Sequence, residues 1–256
     1  MFDNKITRHG SNTGGGGVNS DRVNGIFSDL GVPNPWNYHI YQNDFDTFAA
    51  GDWTVTKVGT GTAALGLTSG GGLLLTNTTG TSDAISMQLV DASFQLASGF
   101  RCWGKVIAQA SSSLTNLVLG LGNTTTTPEA GFTDGIWLST AATTALQMNI
   151  QANSGTAQTL VATPTLVTAK PFTFAWYYDG ACYSGPQYGR VVFELSGAGV
   201  SSNWRGEIAC GSTFPFTTLL APQIAVQNTT ALASVLSIDF FGVVLDRTNV
   251  NATPVF

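Results

Sequence analysis

The sequence predicts an all-β protein: a two-sheet antiparallel sandwich or jelly roll with an irregular N-terminal arm. Three observations predict it. From Asp44 onward, apolar residues recur at every second position in short runs, the period of a strand with one buried and one wet face. Turns rich in Gly, Asn, Ser and Thr, such as "TSGGG", "NTTGTSD" and "NSGT", separate the runs. Helical periodicity is almost absent, and no repeat at a fixed period marks a propeller or solenoid. With 256 residues, the chain is long enough for one large sandwich.

Residues 1–40 read as the arm and 41–256 as the sandwich domain. The arm holds both histidines, His9 and His39, the run Gly14–Gly17, and Pro33 and Pro35. One stretch, "SDRVNGIFSDLG", fits a brief helix with Ser20 as N-cap and Gly31 at its end. Nothing in the arm alternates well enough to join a sheet. In the domain, "DWTVTK" sets Trp53 and Val55 on one side. The runs "TAALGL", "GLLLTN", "AISMQLV", "FRCWGKVIAQ", "LTNLVLGLG" and "DGIWLST" follow as strands. "LQMNIQAN" is the clearest: Leu146, Met148, Ile150 and Ala152 point one way, and Gln147, Asn149, Gln151 and Asn153 the other. After "QTLVAT", "PFTFAWYYD" aligns Phe172, Phe174, Trp176 and Tyr178, and "YGRVVFELS" aligns Val191, Phe193 and Leu195. "NWRGEIAC" and "PQIAVQN" lead to "SIDFFGVVLD", apolar on both faces as a central strand is. The expected total is about fourteen strands.

Charged residues make up 10% of the chain, far below the ~25% of an average soluble domain, so hydroxyls and amides dominate the surface. The ten Lys and Arg are scattered singly within a net charge of −5, which leaves no footprint for nucleic acid. No apolar run reaches the ~18 residues that span a bilayer, and the N-terminus lacks the pattern of a secretory signal. The sequons at Asn77, Asn123, Asn228 and Asn251 therefore read as by-products of composition. Three cysteines without metal-like spacing, Cys102, Cys182 and Cys210, argue against a disulfide framework, and Cys102 reads as a small apolar strand residue.

Catalytic constellations are missing. The glycine run has no following Lys for a phosphate loop and no strand–helix context for a dinucleotide fingerprint, so it reads as flexible chain. Both histidines lie in the arm, far from any nucleophile motif. Glutamates number three, and Glu194 and Glu207 stand singly in separate strands. Sandwich glycosidases instead space acids two and four apart on one strand. Asp239 and Asp246 bracket the last strand. Asn43, Asp44, Asp46 and Asp52 form a partial set of calcium-type oxygens without the glycine and bidentate Glu of an EF-hand. No catalytic, cofactor-binding or metal site is assigned. Trp53 and Trp176 alternate in phase with core residues, whereas Trp36, in "NPWNY", is the exposed anchor expected of the arm.

The stretch "NDFDTFAAGDWTVTKVGTGTAALGLTSGGGLLLTNTTGTSDAISMQL", then "DGIWL" and "PFTFAWYYDG", resembles virion-associated concanavalin-like jelly-roll proteins of tailed bacteriophages. Its carriers are an acidic-aromatic opening, "W-x-V-T", a Gly/Thr hairpin and "G-x-L-x-L-T", over roughly residues 36–246. The resemblance implies a structural protein: a capsid decoration or cement protein on the capsid exterior, made in the host cytoplasm. Its partners would be the major capsid protein and further copies of itself, lattice geometry pointing to a trimer. The arm would reach neighbouring capsid subunits, with Trp36, Tyr38 and Tyr41 as contact candidates. The same fold serves lectins and glycosidases. A carbohydrate- or receptor-binding module of a tail or fibre is therefore the alternative, and a glycoside hydrolase using Glu194 and Glu207 the second.

Overall fold

The computed structural model describes residues 38–66, 72–91, 93–96, 101–111, 115–123, 125, 127, 132–140, 145–152, 155–180, 189–210 and 218–246. The glycine run, the Ser20–Gly31 helix, His9, Trp36, Cys182 and Asn251 lie outside them. The first strands are β1 (Tyr38–Asn43), β2 (Trp53–Val58), β3 (Gly61–Leu65), β4 (Leu73–Asn77), β5 (Ala84–Leu89), β6 (Phe94–Gln95), β7 (Arg101–Ala110) and β8 (Thr115–Gly122). Then come β9 (Gly135–Thr140), β10 (Ala145–Gln151), β11 (Gln158–Thr165), β12 (Pro171–Asp179), β13 (Arg190–Ser196), β14 (Trp204–Ala209), β15 (Leu219–Asn228) and β16 (Ser234–Asp246). Among the described residues the one helical element is a single 3-10 turn, Ala50–Asp52.

The strands form two antiparallel sheets. The first runs β14-β13-β12-β7-β16-β4-β3, with β1 also on β16; the second runs β11-β10-β9-β8-β15-β5-β2, with β6 also on β15. All fourteen predicted runs are strands. Two strands lack a sequence forecast. One is the short β6, and the other is β1, which places residues 38–40 inside the sheet rather than in the arm. Residues 38–40, assigned to the arm by the sequence, are thus part of the sandwich. β1 is "YHIYQN", an alternation of two polar-aromatic faces with few aliphatic side chains. It reads as a strand once β16 offers its edge, with Tyr38 opposite Asp246 and Asn43 opposite Phe241.

Local sequence explains the irregularities. β16 is central, flanked by β7 on one side and by β4 and β1 in succession on the other. Its register on β7 shifts between Ile238 and Phe240. Exposed Asp239 is the extra residue, so Leu236 and Ile238 face the core before it and Phe241, Val243 and Leu245 after it. That phase change is why "SIDFFGVVLD" reads as apolar on both faces. In β15, Pro222, which has no N–H for a ladder, falls between the part paired with β6 and the part paired with β5.

The core lies between the sheets, and its largest side chains are aromatic. Phe174 stacks on Phe193 at 6.2 Å and packs against Trp176 at 5.3 Å, and Trp176 meets Phe241 edge-on at 6.3 Å. Trp53 and Trp176 are core residues, as their phase predicts. Trp176 lies over Gly104, its cross-strand partner; a Cβ there would stand 1.8 Å from Trp176 Cζ2. Two sequon asparagines act inside the fold. Asn77 donates to the carbonyls of Val226 and Asp83, both at 3.0 Å, tying the first sheet to the second. Asn228 donates to the carbonyls of Gly80 and Thr78 and accepts from the Ser234 hydroxyl.

Candidate functional site

Each sheet has an outer face, and aromatic side chains gather on both. On the first sheet the residues of β7 that point away from the core include Arg101, Trp103 and Lys105. Cross-strand register sets Trp103 between Val244 and Tyr177, with Val192 beyond. Trp103 and Tyr177 pack at 5.3 Å, and Tyr38 meets Trp103 edge-on at 6.5 Å. The next row toward the chain ends is charged: Asp246, Arg101, Asp179 and Arg190 stand opposite one another on four strands. Arg101 reaches Asp179 at 3.4 Å. Lys105, on the other side of the aromatic row, sits between Gly242 and Ala175, and burial pulls its pKa below the ordinary lysine value.

Glu194 and Glu207 also lie on this face, on neighbouring strands. Glu194 stands 3.6 Å from Arg205, and Glu207 stands 3.4 Å from Arg190. Each carboxylate thus faces a guanidinium, the arrangement of a sheet-surface ion pair.

On the second sheet one row crosses from edge to edge: Thr159, Asn149, Trp137, Gly120, Gln223, Gln88 and Thr54 are successive partners. Gly120 makes room for Trp137, since a Cβ there would lie 2.2 Å from the Ile136 carbonyl oxygen. Phe132 folds back over Gly122 and meets Trp137 edge-on at 5.1 Å. Both rings are buried. Side-chain amides flank them. Asn149 donates to Ser139 at 2.9 Å and accepts from Thr159 at 2.8 Å, and Gln223 donates to the Asn123 carbonyl at 2.6 Å. The Gln223 side-chain carbonyl is buried without a hydrogen-bond partner among the described residues. The sequence marked "LQMNIQAN" as polar on this side; it did not show that loop residues close over the amides.

The arm-contact candidates part company. Trp36 precedes the described residues. Tyr38 joins the aromatic row of the first sheet. Tyr41 turns inward, edge-on to Trp53 at 6.2 Å and Phe241 at 6.3 Å, and burial pushes its pKa up to about 12. His39, which the sequence places in the arm, also points inward: Nε2 lies 2.8 Å from Ser93 Oγ, with the ring 4.7 Å from Phe94. The calcium-type oxygens stay apart in function. Asn43 Oδ1 accepts from the Phe45 amide at 2.7 Å, and Asp44 accepts from the Asp46 amide. Among the described residues no three His, Cys, Asp or Glu gather as metal ligands. Cys102 and Cys210 are buried, which raises both thiol pKa values well above the ordinary range.

No family model and no curated protein matches the chain. Solved structures do. A protein of unknown function from Shewanella oneidensis MR-1 is 14% identical, with a TM-score of 0.55 over 93% of this chain and 99% of that one. The endo-1,3-beta-glucanase of Streptomyces sioyaensis is 11% identical, with a TM-score of 0.55 over 84% and 99%. Winged bean acidic lectin, solved with methyl-alpha-D-galactose, is 10% identical, with a TM-score of 0.56 over 82% and 98%. The fold is thus a concanavalin-like jelly-roll sandwich. At these identities the likeness extends to the fold alone.

Proposed function

We propose that this protein is a structural component of a tailed-phage virion, a decoration or cement protein that binds the assembled capsid from outside and stabilises it. The observation that carries the reading is the pairing of Tyr38 with Asp246. It sets the first and last described residues of the sandwich side by side, an arrangement that would let chain on either side of them serve one docking surface. The sequence resemblance points the same way. A chain bound at several points on an intact shell, and on no free subunit, stabilises the shell by mass action. The protein is non-catalytic in this reading, since Glu194 and Glu207 are engaged by arginines. The test is to add purified protein to capsids assembled from a major capsid protein encoded in the same genome. Co-sedimentation and a higher capsid melting temperature are expected. Absence from purified virions, or presence in tails alone, overturns the reading.

A second reading rests on the amide row. Gln223 carries a buried acceptor with no hydrogen-bond partner among the described residues, in the same row as Trp137, a pairing that would suit a neutral polyhydroxylated ligand if the row were uncovered. Saturable binding on a glycan array, lost in Gln223→Leu, would favour a carbohydrate-binding module over a capsid protein.

A further inference from the structure

We infer that two copies of this chain associate edge to edge through β11, about a twofold axis level with Leu160. The inference goes beyond the capsid reading and does not depend on it. β11 pairs with β10 on one side, and among the described residues no strand pairs with the other. Its eight residues, "QTLVATPT", carry no charge, and Gln158, Thr159, Val161 and Thr163 are exposed, Val161 at 57%. A free edge without charged side chains is a template for another strand. Pro164 has no N–H to share, and the register on β10 becomes irregular beyond Val161. Regular pairing is thereby confined to Gln158–Val161; a twofold axis that keeps both cores on the same side must pass through a residue of that segment, here Leu160.

That centre fixes the register. In an antiparallel pair, residues directly opposite share a face, so Leu160 meets its own copy, Thr159 meets Val161, and Gln158 meets Ala162. The edge of the other sheet agrees. Leu160 packs on Gly206 of β14, its Cδ2 lying 2.6 Å from where a Cβ would stand. Gly206 therefore lies beside Leu160, flanked by Arg205 and Glu207, both exposed and each already paired within its own chain, with Glu194 and Arg190. Under the same axis Arg205 of one copy faces Glu207 of the other. The uncharged edge and the charged edge are each self-complementary about one point, which selects a second copy of this chain as occupant. A twofold axis generates an isologous dimer in place of the trimer that lattice geometry suggests.

The test uses the full chain in analytical ultracentrifugation at about 100 μM, where an association of only modest affinity is populated. The wild type should sediment as a concentration-dependent dimer. A double variant, Thr159→Lys with Val161→Lys, sets like charges directly opposite one another and should weaken dimerisation by at least about tenfold, as should Thr159→Glu with Val161→Glu. Mixing the two should restore a dimer containing one of each. That result also shows both variants to be folded. A monomeric wild type, an oligomer indifferent to both variants, or a mixture that stays monomeric overturns the inference. None of these results bears on capsid binding, so the two proposals fail separately.

Discussion

At Gly104 the first sheet depends on the absence of a side chain. Trp176 occupies the space a Cβ would need, and backbone on both flanks is held in the ladders of β12 and β16. Gly104→Ala should destabilise the fold by about 1–3 kcal/mol, seen as a lower denaturation midpoint with unchanged slope. A midpoint equal to wild type would mean that Trp176 has room to move. Tyr41 gives a prediction in pH. Its hydroxyl ionises near pH 10 in the unfolded chain and at about 12 in the folded one. Between these values the unfolded state alone loses the proton, so the contribution is intact below pH 10 and falls away as pH rises toward 12. Solvent at the half-buried ring limits the loss to about 1–2 kcal/mol. Tyr41→Phe should flatten the stability profile between pH 10 and 12; an unchanged slope would place the ionisation elsewhere.

Among the elements, β1 is the one whose role the sequence hides. Period-2 alternation exposed β10, β12 and β13 because one face of each is wholly aliphatic or aromatic and the other carries polar or charged residues at several positions. β1 has tyrosines on opposite faces, and its partner is nearly two hundred residues away, so no local pattern distinguishes it from the chain before it. The outer-face rings were hidden for a related reason. Trp103, Tyr177 and Trp137 fall out of phase with the core, which marks solvent-facing positions in a two-layer sandwich; their burial comes from β1 and from Phe132, neither of which is close to all of them in sequence. The ends of β1 set a paired truncation. Removing residues 1–37 should leave a cooperative β-fold with melting close to wild type. Removing residues 1–43 uncovers β16 from Phe241 to Asp246 and strips Tyr38 and Ile40 from the aromatic row, so that protein should melt far lower or aggregate. Equal behaviour of the two truncations would show β1 to be dispensable.

For the whole molecule, the position of β16 has a temporal consequence. It is the last strand of the described chain, yet it stands in the middle of the first sheet, between β7 and the pair β4 and β1. Until it arrives, β7, β12, β13 and β14 can form one block and β3 and β4 another, with nothing to join them. Such a protein cannot mature progressively as it leaves the ribosome; the earlier strands must wait, partly assembled, for β16 to be translated. A chain stopped at residue 233 should therefore be digested rapidly by protease despite carrying fifteen of its sixteen described strands. Protease resistance in that fragment would remove β16 as the keystone. In the cell, the interval before synthesis ends is when this polypeptide is most exposed to chaperones and to misassembly with its siblings.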